Sequence, residues 1–242
     1  MTTIWQWPDF LLKLGISLFL LFTYSHADIP LPGQGIAQSR GVTAGMGFGT
    51  QNHANCKTLW TWTGYGQYSY NPFLSGGISI KFLGGNLDSA NNLVYQRYSA
   101  NAKIMNNRPR YALFIGPTFS FENTNMNALR EEFSNRGEEN RSNTECHNLF
   151  ANIGSSIGYH SGIGFLATPN WGFSLGHNLD LTLKGVVITF FSGSIAFNLR
   201  EQFEKLIENT KNVWLSLEYS ISLTSKDKIE AHNIILGLAV GF

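Results

Sequence analysis

Residues 234–242 alternate without a break. Ile234, Leu236, Leu238, Val240 and Phe242 fall on one face, and Asn233, Ile235, Gly237, Ala239 and Gly241 on the other. A period of two with one large apolar side and one mostly small side predicts a strand with a single greasy face. The same pattern recurs upstream. Val42, Ala44, Met46 and Phe48 oppose Thr43, Gly45, Gly47 and Gly49, and Trp60, Trp62, Tyr68 and Tyr70 share a phase with Gly64 and Gly66 between them. Further segments are marked by Ile78–Ile80–Phe82, by Val94, Tyr98, Ala100, Ala102 and Ile104, and by Tyr111, Leu113, Ile115, Phe119 and Phe121.

A long sixth segment keeps one parity from Leu149 through Ile157, Tyr159, Ile163 and Phe165 to Ala167. Phe173, Leu175, His177, Leu179, Leu181 and Leu183 form the next, then Val187, Phe191, Ile195 and Phe197, then Val213, Leu215, Leu217, Tyr219, Ile221 and Leu223. With the last strand the count is about ten, an even number. Asn71-Pro72, Asn107-Arg108-Pro109 and Pro169-Asn170 are turn signals between segments. Pro117 falls inside the fifth segment on its outward phase and predicts a bulge. Residues 199–212 carry Phe203, Leu206 and Ile207 at helical spacing among charges, which predicts a short amphipathic helix. The structural alternative is an eight-stranded barrel with residues 28–70 as an extension.

The alternating segments, the aromatic ends and the terminal Phe242 together resemble the small outer-membrane β-barrels of bacteria (outer-membrane protein A-like, X-like and opacity-type). The resemblance covers most of residues 28–242. It implies an all-β, antiparallel, up-and-down transmembrane barrel in the outer membrane, a monomer in contact with outer-membrane lipid. It also implies insertion by the barrel-assembly machinery, which would read Leu238, Val240 and Phe242 on the last strand. If the C-terminus is periplasmic, the three short turns are periplasmic and the longest connection, 122–147, is extracellular, the usual asymmetry of such barrels.

The start of the chain reads as an export signal. Lys13 precedes an apolar run over 14–22, and Ser25-His26-Ala27 is a small-x-small cleavage site, so residues 1–27 are assigned to the signal and 28–242 to the barrel. Trp5, Trp7 and Asp9 occupy positions where basic residues are expected, and a retained interfacial anchor is the alternative. The 17 Lys+Arg against 16 Asp+Glu argue against a nucleic-acid surface. Aromatic and charged residues each make up 14% of the chain, which suits an outer belt that touches lipid. Mean hydropathy of −0.09 does not reveal the barrel, because lipid-facing and lumen-facing positions average out.

Chemistry is sparse. The inward phase holds Lys81, Arg97, Asp180 and Glu218, read as an internal ion-pair network with Arg97 opposite Glu218; a proton or ion path is the functional alternative. Cys56 and Cys146 are the two cysteines, both placed on extracellular connections, where an exported pair is expected to form a disulfide. His53 and His147 flank them, but adjacent Cys146-His147 suits one metal poorly, so no metal and no cofactor is expected. His160-Ser161 with Glu122 or Asp180 offers the residue types of a hydrolase or acyltransferase without a spacing that orients them. His177 lies on an apolar face and reads as an interfacial histidine. No catalytic residue is therefore assigned. The candidate working surface is the 122–147 connection, with Glu131, Glu132, Arg136, Glu138, Glu139 and Arg141. The expected role is non-enzymatic, structural or adhesion-like. A lipid-modifying enzyme and a narrow solute pore are the alternatives.

Overall fold

The computed structural model describes residues 29–31, 35–38, 40–53, 58–86, 92–124, 154–200, 212–225 and 230–242. Two short strands, β1 (Ile29–Leu31) and β2 (Gly35–Ala37), pair with each other as a hairpin. Ten further strands follow: β3 (Gly41–His53), β4 (Leu59–Asn71), β5 (Leu74–Asn86), β6 (Asn92–Asn107), β7 (Tyr111–Thr124), β8 (Ser156–Thr168), β9 (Trp171–Thr182), β10 (Val187–Asn198), β11 (Asn212–Thr224) and β12 (Glu230–Gly241). Each pairs antiparallel with its sequence neighbour, and β12 pairs with β3, so the sheet closes on itself as a ten-stranded barrel. All ten match segments predicted by alternation. The eight-stranded alternative fails because β3 and β4 are part of the wall.

The strands run 12–16 residues, more than the about 9–11 needed to cross a bilayer at a tilt. Turns at Pro72-Phe73, Arg108–Arg110 and Pro169-Asn170 lie at one end with the connection from β10 to β11, while the long 125–155 connection lies at the other. The short-turn end is the periplasmic one by the asymmetry of such barrels. Asn71 Oδ1 accepts from the amides of Phe73 and Leu74, each at 2.8 Å, which is the Asx-type closure a two-residue reversal requires. At the opposite end Gly185, with φ +77°, closes the tight β9–β10 turn in a conformation that side chains with a Cβ avoid.

Two expectations are corrected or bounded here. Pro117 does not make a bulge: Asn101 pairs with Thr118 and Ile104 with Ile115 in one unbroken register. The ladder to β6 opens opposite Gly116 and Pro117 because proline has no N–H to donate, and the other edge of β7 still pairs Pro117 with Tyr159. The sixth predicted segment begins at Ser156, with 149–153 outside the described residues. Also outside them lie residues 1–27, assigned from sequence to a signal, residues 201–211 of the expected helix, Cys56, Cys146 and the candidate loop residues from Glu131 to Arg141; Asn212, placed in that helix by sequence, begins β11.

The wall is turned inside out relative to a water-soluble protein. Outward positions are large and apolar: Phe48 is 60% exposed, Ile78 69%, Ile104 66% and Leu175 61%. Inward positions are small or hydrophilic, with Thr43, Gln67, Ser75, Ser174 and Asn233 all buried. On the outside, aromatic rings gather toward both ends. Phe165 stacks on Phe173 at 5.3 Å and Trp171 meets Phe197 at 4.9 Å near the periplasmic end, and Trp62 bridges Phe48 and Phe82 toward the other.

Candidate functional site: the plugged lumen

The hairpin of β1 and β2 lies inside the barrel. Ile29, Ile36, Ala37 and Gln38 are completely buried, and Leu31 is 5% exposed. Ile29, Leu31 and Ala37 pack on Met105, Ala112 and Phe114, while Ile36 packs on Ala196, Trp214 and Ala239. These wall residues point inward at the periplasmic end, where they form an apolar seat for the hairpin. Sequence periodicity could not find the hairpin, because strands of three residues carry no detectable period. Its signal lay elsewhere: inward-phase Trp214 and Phe114 need an apolar partner.

Two polar clasps fix it. Gln67 Nε2 donates to the Ile36 carbonyl at 3.0 Å, and Asn107 Nδ2 to the Ala37 carbonyl at 3.4 Å. Lys103 Nζ, 2.6 Å from Gln67 Oε1, holds that amide in the orientation that serves the hairpin. The same ammonium lies over the Phe114 ring, 5.6 Å from its centroid. Gln38 sits against Gly241, where any Cβ would run into its amide.

Farther from the plug, charges span the lumen. Arg97 on β6 pairs with Asp180 on β9 through Nη2 and with Glu122 on β7 through Nη1 at 3.7 Å. Its Nη2 also donates to Ser120 Oγ at 2.9 Å, and its guanidinium lies over the ring of Phe190, 5.6 Å from the centroid. Tyr95 donates to Glu122 at 2.6 Å and Thr118 to Asp180 at 3.2 Å. The acid side chains are 3% and 4% exposed, so this cage is what offsets the cost of taking them out of water. Arg97 thus takes Asp180 and Glu122, not Glu218 as the sequence suggested. Lys81, directly across the ladder from Arg97, donates to Gln51 Oε1 on β3 at 2.9 Å and to Asn233 Oδ1 on β12 at 3.4 Å. Glu122, assigned from sequence to the outer connection, is an inward residue of β7 directly across the ladder from Arg97.

The enzyme-like residues are separated by the wall itself. His160 is completely buried on the inner face, whereas Ser161, next in sequence, shares the outward phase with His177. His177 lies on the outer face near the middle of β9, between the rings of Tyr159 at 5.6 Å and Phe191 at 4.9 Å. No hydrogen bond joins His160 to Ser161 or His177, and among the described residues no cluster of metal-ligating side chains occurs. Between plug and charge cluster lies a cavity of about 220 Å³, lined among others by Leu31, Lys103, His160, Asn178 and Trp214.

Closed strands of membrane-spanning length with lipid-like polarity and two aromatic girdles leave one solvent for the outer face. This is a transmembrane β-barrel of the bacterial outer-membrane type. Solved structures that the chain resembles include Neisserial surface protein A (7% identity, 85% of this chain and 98% of that one, TM-score 0.37). They also include the outer membrane protease OmpT from Escherichia coli (12% identity, 85% and 98%, TM-score 0.37) and Ail, the attachment invasion locus protein of Yersinia pestis (9% identity, 84% and 97%, TM-score 0.33). No protein-family model and no curated protein matches the chain. It is the barrel's own polarity that makes the assignment.

That polarity is directly testable. Ile115, 55% exposed on the outer face of β7, replaced by arginine is expected to destabilise the barrel by about 2–4 kcal/mol, as for charges placed at the lipid midplane. An arginine at inward Ser192 should cost less. Urea titration in lipid vesicles ranks the two, and equal costs would overturn the inside-out assignment.

Proposed function

We propose that the barrel is a non-enzymatic scaffold of the outer membrane that acts through its outer connections, in a structural or adhesion-like role. The observation that carries the reading is the occupied lumen: a buried apolar hairpin fills the periplasmic end, and a caged guanidinium crosses the space beyond it. A wall so filled positions loops well and passes solutes poorly. The placement of His160 and Ser161 on opposite faces speaks against a shared nucleophile and base.

β7 and β8 meet their connection at the end opposite the periplasmic turns, and the mixed-charge surface expected within 122–147, from Glu131 to Arg141, is the one proposed for this role. Cells displaying the full chain should adhere to a protein-coated surface, or resist detergent, better than cells lacking it. Deleting residues 126–147 should remove that difference while the barrel keeps its heat-modifiable gel mobility. If the deletion leaves the phenotype intact, or the full chain confers none, the reading is wrong.

A further inference from the structure

The cavity above the hairpin contains polar atoms that the protein leaves unserved. Both ring nitrogens of His160 and the indole Nε1 of Trp214 are buried without a hydrogen-bond partner, and so is Oδ1 of Asn101. His160 and Trp214 are 0% and 1% exposed, and all three residues line the same space. Nearly all buried polar groups in folded proteins are satisfied by protein, water or ligand. Several orphans facing one cavity therefore describe an occupant.

The orphan set gives that occupant's chemistry. Trp214 offers an N–H, and a neutral imidazole offers one N–H and one lone pair. Asn101 adds a carbonyl acceptor. The Lys103 ammonium and the His160 ring both border the Phe114 ring, at 5.6 Å each from its centroid, which brings positive charge to the same corner. Asp180 and Glu218 are the acids that line the space; Asp180 is turned toward Arg97, and Lys81 and Arg97 line the same space with positive charge. The pattern wants an anion that accepts several hydrogen bonds and still donates at least one. Hydrogen phosphate and small hydroxy-carboxylates have both features, whereas sulfate and acetate have no donor.

We propose that this chamber is a binding site for a small oxyanion bearing an O–H group, held by His160, Trp214, Asn101 and Lys103. The cavity of about 220 Å³ has room for an anion the size of phosphate or a short hydroxy acid. This site is independent of whatever the outer connections engage.

The test uses the full barrel refolded in detergent with ring-labelled histidine, with inorganic phosphate, lactate, sulfate, acetate or glycerol present during refolding at matched ionic strength. His160 resonances, assigned through His160→Phe, should shift saturably with phosphate and lactate and at least tenfold more weakly with the other three. Trp214→Phe, which keeps an aromatic ring of smaller size and removes the indole N–H, should weaken phosphate binding at least tenfold with unchanged heat-modifiable mobility. Equal shifts with sulfate or glycerol would overturn the proposed class. No saturable shift with any solute would leave water alone as the occupant and overturn the site. Trp214→Phe binding as tightly as the original chain would also sink it.

Discussion

Replacing Arg97 with alanine is expected to destabilise the barrel by about 3–5 kcal/mol, the cost of leaving buried charge uncompensated. Two carboxylates depend on this one guanidinium, and both side chains are nearly inaccessible to water. Asp180→Asn should cost less, because Glu122 and the hydroxyl of Ser120 still hold the arginine. The pairing is best isolated by double-mutant cycles read from urea unfolding in vesicles. Arg97 and Asp180 should couple strongly, since residues sharing one network are non-additive by about 0.5–3 kcal/mol. Arg97 and Glu218 should be additive to within about 0.5 kcal/mol. Additivity in the first cycle, or strong coupling in the second, would show that the network has been misread. Neutralising Arg97, Asp180 and Glu122 together should restore part of the loss, because no charge is then stranded.

The second large effect concerns conduction. In planar bilayers the full barrel is expected to be silent, and deletion of residues 29–38 should produce discrete channel openings. The stability change should be modest by comparison. Burial of Ile29, Leu31 and Ile36 is opposed by the entropy of ordering the segment, and removal of the hairpin alters the lumen far more than the wall. Trp214→Ala, which takes away the plug's partner on β11, should give intermediate and flickering currents. A silent deletion variant would mean that the Arg97 cluster alone seals the barrel.

The wall was legible from the sequence because lipid imposes a period of two on every strand that crosses it. Ile234 through Phe242, Trp60 through Tyr70 and Leu175 through Leu183 all face as their parity predicts. Strand direction followed from loop length, and the short turns do lie together at one end. Parity also placed Lys81, Arg97, Asp180 and Glu218 inside. It could not pair them, because register between strands far apart in the wall depends on barrel curvature. Glu122 was misassigned for a different reason: its neighbours Asn123, Thr124 and Asn125 look like loop, and only its position across the ladder from Arg97 places it in the wall. Lys103 escaped notice because one inward lysine has no sequence mark that distinguishes a structural clasp from a solvated charge. The hairpin was missed because it is built from tertiary contacts alone.

The seam between β12 and β3 sets an order of events. It joins Gly241 to Thr43 and Ala231 to His53, so the first wall strand must wait for the last before the barrel exists. The hairpin immediately precedes β3, yet β1 lies against β8 and β9, and β2 against β12. Its binding surface is thus assembled only when the final strand has zipped into place. A hairpin that docks after this closure leaves a stage in which the wall is complete and its mouth stands open. The speed with which ten residues swing inward then decides how long each newly made barrel is a hole in the membrane it was built to close.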